Sequence, residues 1–205
     1  METDLTRLRF IAANYSRLQG LRAVPVGAFV MLITLWAAFH PGDLGPGIPI
    51  TVICILSYWL IDRYYASSFG RVSRGKRAAW LEAAVSIGFS ILALLAFALE
   101  TSLKPPFSPV GLAIAGALLA DYWLASRSAG TQTLRYYPEN VISAALIAVM
   151  SLLPLTGWAW WKLVGIHSNL LALMVFVGLL MMVAGIWGHF RFTRSIIAGG
   201  QESHE

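Results

Sequence analysis

The feature that most constrains this chain is a series of six long apolar runs, at approximately 23–40, 46–65, 79–100, 107–126, 140–161 and 168–190. Each can cross about 30 Å of hydrocarbon as an α-helix, which takes roughly 20 residues. Spanning strands are excluded: the runs lack the alternation of a barrel, and an open sheet leaves its edge groups unmet in lipid. The expected fold is an all-α membrane protein, a bundle of six transmembrane helices. Composition agrees. Hydrophobic residues make up 58% of the chain and charged residues 12%, against about 25% charged in soluble domains. Six spans use about 120 of the 205 residues. The two tails and five loops are each expected to be shorter than a soluble domain of about 50 residues. That excludes an appended kinase or nucleotide-binding domain.

Turn residues punctuate the runs. His40 to Pro49 holds three prolines and three glycines; Pro105, Pro106 and Pro109 mark the next outer connection, and Ser67 to Gly75 the inner one between them. Short outer connections predict three antiparallel hairpins. The expected organisation is a cytoplasmic interfacial helix over 1–22, the transmembrane domain over 23–190 and a cytoplasmic tail over 191–205. In the first segment Leu5, Leu8, Ile11, Tyr15 and Leu18 recur at helical spacing, with Arg7, Arg9, Asn14 and Arg17 elsewhere. That pattern predicts an amphipathic helix lying on the membrane surface or docking a partner. The first apolar run ends in Phe39-His40-Pro41-Gly42, not in a small-residue cleavage site, so no cleavable signal peptide is expected.

The basic residues set the orientation. Arg7, Arg9, Arg17, Arg22, Arg63, Arg71, Arg74, Lys76, Arg77, Arg127, Arg135, Arg191 and Arg194 fall on one side of the six spans. Only Lys104 and Lys162 fall on the other. Thirteen of the 15 on one side predict that both termini lie in the cytoplasm. Trp158, Trp160 and Trp161 are expected to form an outer aromatic belt at the end of the fifth helix. The net charge of +5 thus reads as membrane topology, not as nucleic-acid binding.

Trp59, Trp123 and Trp187 are 64 residues apart, and each is followed four residues later by arginine: Arg63, Arg127 and Arg191. Tyr58 matches Tyr122 and Leu60 matches Leu124 at the same offset. This defines a candidate parallel repeat of one hairpin. Evenly sized hairpins with Trp and Arg at each inner interface give the same pattern without shared ancestry.

Asp121 is the most unusual residue, an acid near the inner end of the fourth span. Ala113 and Ala117 share its face, and Gly111, Ala115, Gly116 and Ala120 make the rest of that helix small. Small residues allow close helix approach, so this helix is expected to be central and Asp121 to face protein or a cavity. A carboxylate there needs a partner from another helix; Arg22, Arg63 and Arg191 lie at similar depth. The expected inner polar cluster comprises Asp62, Arg63, Glu82, Asp121, Arg127, Glu139, His189 and Arg191. It reads either as a substrate, headgroup or proton site, or as an ion-pair network that fixes helix register. Arg71, Arg74, Lys76 and Arg77 form a candidate surface for anionic lipid or a protein partner.

No catalytic, metal or cofactor motif is recognised. The single cysteine, Cys54, lies in an apolar run and has no partner for a disulfide or a zinc site. His40, His167 and His204 read as loop or tail residues, not as paired haem ligands. Phosphate-loop, HExxH and G-x-S-x-G patterns are absent from the sequence. Pro154, with Gly157 after it, is expected to kink the fifth helix.

The stretches Asn14-Tyr15-Ser16-Arg17-Leu18-Gln19-Gly20-Leu21-Arg22 and Arg63-Tyr64-Tyr65-Ala66-Ser67-Ser68-Phe69-Gly70-Arg71-Val72 are similar to those of a group of small uncharacterised bacterial integral membrane proteins. The resemblance implies a bacterial inner-membrane location and brings no assigned reaction. Three functions are expected in order: an accessory or regulatory subunit, or small transporter-like module; a self-contained transporter or channel using Asp121; and a membrane-embedded lipid enzyme using the inner cluster. The expected partners are the bilayer, its anionic lipids and a membrane or cytoplasmic protein, with no nucleic acid.

Overall fold

The computed structural model describes residues 20–43, 45–69, 76–129 and 138–201. Every regular element among them is helical. Six α-helices follow one another: α1 (Ala23–Phe39), α2 (Gly47–Phe69), α3 (Lys76–Leu103), α4 (Pro109–Ala129), α5 (Pro138–Leu152) and α6 (Asn169–Gln201). All six belong to segments long and apolar enough to span a membrane. The expected interfacial helix lies almost wholly outside the described residues. Of it, Gly20–Arg22 forms a 3-10 turn leading into α1.

Local chemistry explains the helix ends. Pro109 opens α4, where a missing N–H costs nothing. Ser108 caps it, its hydroxyl accepting from the Gly111 N–H at 3.3 Å. Lys104 closes α3 in the left-handed region at φ 45°, just before Pro105, whose ring disfavours a helical predecessor. Between α1 and α2, the Asp43 carboxylate accepts from the Gly45 N–H at 2.8 Å, and the Trp36 indole donates to the Asp43 carbonyl at 2.9 Å.

The fifth span corrects two expectations. Its α-helix ends at Leu152 and continues only as a 3-10 turn, Leu153–Thr156. Pro154 has no N–H to continue the ladder, so it terminates the α-helix where a kink was expected. Gly157 then reverses the chain at φ 81°. The triplet of tryptophans also divides. Trp158 is 54% exposed, whereas Trp160 is 7% exposed and packs into the core against Phe176. Trp160 is therefore an anchor of the bundle, not a member of an outer belt, because the turn Trp160–Val164 folds back under α6.

The helices pack in the spatial order α2, α1, α6, α5, α4, α3, and the most extensive packing joins the first span to the last. Small residues make that contact. A Cβ on Gly20 would stand 2.3 Å from the Gly185 carbonyl oxygen, so only hydrogen fits there. The main core joins Ala115, Ala144, Ile147, Leu173 and Val177 from α4, α5 and α6. Gly111 brings α4 onto Ser151 of α5, whose carbonyl accepts from the Ser108 N–H at 2.9 Å. Most of the surface of α2 and α3 is exposed, with Tyr65, Ala96 and Glu100 buried, so acyl chains would cover the outer faces of both in a bilayer.

Candidate functional site

A cavity of about 500 Å³ opens between five of the six spans. This falls within the range of roughly 300–1,000 Å³ typical of small-molecule pockets. Its body is apolar: Phe89 and Ala93 from α3, Ala113 and Ala117 from α4, Ile147 from α5, Val177 and Met181 from α6. Its polar wall is built by Arg22, Asp121, Glu139, Asn140 and Ser143. These lie at the ends of their helices that carry most of the basic residues.

Asp121, Ala117 and Ala113 line the cavity together, as their four-residue spacing on α4 requires. The Asn140 amide of α5 donates to the Asp121 carboxylate at 3.1 Å. The three arginines considered as partners for Asp121 have other contacts. Arg22 pairs with Asp62 of α2. Arg191 of α6 donates to Glu139 of α5 at 2.8 Å. Arg63 lies over the Trp59 ring, 5.6 Å from its centroid. Cross-helix pairing thus follows adjacency in the bundle: α1 with α2, α5 with α6, α4 with α5.

Arg22 is only partly satisfied. One terminal nitrogen binds Asp62, but its Nε–H is buried with no hydrogen-bond partner. A buried donor left unmet costs about 1–3 kcal/mol. The guanidinium is thus held by one carboxylate, and Arg22 is among the residues that line the cavity.

His189 lies beside this wall. Its Nδ1 is 2.9 Å from the Tyr65 hydroxyl, and Tyr65 is 0% exposed. The same hydroxyl accepts from the Leu21 N–H at 3.4 Å. Which of the two donates depends on the His189 tautomer. Tyr65 therefore ties α2 to α6 and to the entry of α1.

The remaining sequence candidates divide simply. Glu82, Arg127, Lys76 and Arg77 lie on helices, at positions whose backbone alone is described. Arg71 and Arg74 lie outside the described residues. His40 stacks on Trp36 with ring centroids 4.0 Å apart, and His167 is exposed. Cys54 donates to the Pro25 carbonyl at 3.3 Å. Among the described residues, no group of three His, Cys, Asp or Glu could hold a metal ion.

Four features were not singled out from sequence: Tyr65, Asn140, the glycines of the α1–α6 seam, and Glu100. Glu100, 9% exposed, accepts from the Ser108 hydroxyl at 2.7 Å and the Val110 N–H at 3.2 Å. The glycines carried a readable signal, since Gly20 and Gly27, like Gly178 and Gly185, are seven residues apart and so share a helix face. Compared with models of known protein families, with curated proteins and with solved structures, the chain matches none.

Proposed function

We propose that this chain is a non-enzymatic, transporter-like or accessory module of a bacterial inner membrane, and that it holds an amphipathic small molecule in the cavity between its spans. The cavity carries this reading: apolar in body, polar on one part of its wall, and bounded by α1, α3, α4, α5 and α6. An occupant with an apolar tail and a polar head matches both parts.

The thirteen basic residues at one end of the spans support an orientation with both termini in the cytoplasm. The resemblance at residues 14–22 and 63–72 supports the bacterial inner membrane. Consecutive spans are read as three antiparallel hairpins, a reading supported by packing of α1 on α2, α3 on α4 and α5 on α6. The 64-residue parallel repeat is supported by Trp59, Trp123 and Trp187, all exposed at the corresponding end of alternate spans. The loop carrying Arg71, Arg74, Lys76 and Arg77 would hold anionic headgroups at roughly 1 kcal/mol per charge, or dock a cytoplasmic partner.

The test is the content of the cavity. Mild-detergent purification followed by solvent extraction and mass spectrometry should recover a retained amphiphile. Ala117→Phe, which fills the cavity from α4, should remove it while the helix content persists. Unchanged lipid content in that variant would overturn the reading. A second reading, a self-contained transporter coupled through Asp121, is favoured by the position of Asp121 on the cavity wall. Asp121→Asn should then abolish flux in reconstituted vesicles and leave cavity binding largely intact.

A further inference from the structure

We infer that the occupant of the cavity is a bilayer phospholipid, which enters sideways and lays an acyl chain through the gap between α1 and α3. This rests on the reading of the cavity as an amphiphile site and adds the class of amphiphile and its route.

The order of the helices leaves one side of the bundle open. Among the described residues, α3 packs extensively on α4 alone, whereas α1 packs on α2 and α6. Yet Ala23 of α1 and Phe89 and Ala93 of α3 line the same cavity. The row of helices therefore curves into an arc with the cavity on its concave side. No extensive packing between described residues closes the arc from α1 to α3. Both helices belong to spans, so in a bilayer the gap between them faces hydrocarbon. On α3, Phe89 and Ala93 are half-buried, while Ile87, Ile91 and Leu94 around them are exposed. The cavity lining thus continues into the lipid-covered side of α3.

The chemistry of the lining decides what fills it. A water held inside a protein needs about two to four polar partners, and the side chains of Phe89, Ala93, Ala113, Ile147 and Val177 offer none. An empty space would forfeit the dispersion contacts of its lining. Closing α1 onto α3 gains nothing from the hydrophobic effect, because lipid tails are as apolar as the side chains they would leave. An acyl chain fills the space without ever leaving an apolar medium. The lining also sets the leaflet. It runs from Arg22, Glu139 and Gly188, at the basic ends of their spans, to Ala113 and Val177 deeper in the bundle. A lipid of the leaflet on that side can keep its head at the polar end while its chain lies along the apolar body.

The experiment uses the full chain in vesicles of a single diacyl phospholipid. The photoreactive residue p-benzoylphenylalanine replaces Leu180, which lines the cavity from α6. The same residue in place of Phe89 is a second position that keeps an aromatic ring, and in place of the exposed Leu94 it is the lipid-facing reference. After irradiation, mass spectrometry should find one phospholipid joined through its acyl chain at all three positions. Adding Ala117→Phe should abolish the adduct at 180 and leave that at 94 unchanged. An adduct at 180 that survives Ala117→Phe would overturn the inference, because the lipid would then lie outside the cavity. So would cross-linking at 180 and 89 to residues 1–19 in place of lipid, since the chain itself would then close the gap. A single-chain amphiphile added from water that labels position 180, where the diacyl lipid does not, would overturn the lateral route and leave the amphiphile site standing. Labelling by neither lipid at 180 and 89, in chains of unchanged helix content, would overturn both.

Discussion

Gly27 and Gly178 face each other across the α1–α6 crossing so closely that a Cβ on either would stand 2.6 Å from the carbonyl oxygen of the other. Gly20 and Gly185 repeat the relationship one heptad away, at 2.3 and 2.7 Å. The two pairs run in opposite sequence directions, so the first and last spans pack antiparallel, backbone against backbone. In lipid, where the hydrophobic effect does not drive helices together, such close van der Waals contact is a main source of association. The seam also places Arg22 and Gly188 on one wall of the cavity.

Gly27→Ala should therefore destabilise the bundle by about 1–3 kcal/mol, the usual cost of overpacking. Gly88→Ala is the control. It lies inside α3 with open space around it, so alanine should stabilise by up to about 1 kcal/mol through helix propensity. Thermal unfolding in detergent, followed by helix content, should shift in opposite directions for the two. A shared direction would show that the α1–α6 contact is looser than described.

The Arg191–Glu139 pair joins α6 to α5 beside the cavity, with side chains 28% and 11% exposed. Glu139→Ala alone should cost about 1.5–3 kcal/mol, the scale of a hydrogen bond to a charged group. Adding Arg191→Ala should then cost less than Arg191→Ala does in the wild-type chain, since the Glu139 carboxylate is already gone. A double-mutant cycle on chemical unfolding measures this. Additive losses would mean that the two residues act independently.

How much of this was legible in the sequence depends on the range of the interaction. The six spans are local facts of composition, and six such helices stand among the described residues. The common face of Ala113, Ala117 and Asp121 follows from helical spacing within α4. Which partner each charge takes was not legible, because Arg22 meets Asp62 across 40 positions and Arg191 meets Glu139 across 52. Those pairings depend on the order in which helices stand, and hydropathy is silent on that. Trp160 was misread for a related reason: a tryptophan near a helix end suits an interface as well as a core, and only the turn after Gly157 decides between them.

Tyr65→Phe isolates a single oxygen. Its loss leaves the Leu21 N–H without its Tyr65 acceptor and His189 Nδ1 without this partner, while the ring still fills its buried site. The expected cost is about 1–3 kcal/mol. Tyr65→Leu should cost more, by removing ring contacts with Tyr64 and His189 as well. Equal stability of the Tyr65→Phe variant and the wild-type chain in thermal unfolding would show that the hydroxyl bridge contributes nothing.

Orientation is tested by single cysteines. Cys54→Ser keeps a donor for the Pro25 carbonyl and supplies a cysteine-free background. With both termini in the cytoplasm, Lys162→Cys should react with a membrane-impermeant maleimide in intact cells. Ser73→Cys should react only after permeabilisation. The reverse pattern would invert the topology.

Glu100 is the buried acid for which the sequence offered no warning. It stands in the last turn of α3, where the helix's own carbonyl ends disfavour a negative charge. The structure compensates by presenting the start of α4: the Val110 N–H at 3.2 Å and the Ser108 hydroxyl at 2.7 Å. Glu100 thus caps the following helix from the preceding one, and beside it Ala96, Val110 and Ala113 pack into a small apolar cluster. Glu100→Ala should leave two buried donors unmet and cost about 1–2 kcal/mol, as other lost N-caps do. Glu100→Gln retains an acceptor oxygen and should recover at least half of that loss in thermal unfolding. If Gln and Ala were equally destabilising, the negative charge itself would be the essential feature. If neither changed stability, the α3–α4 contact would rest on the apolar cluster alone.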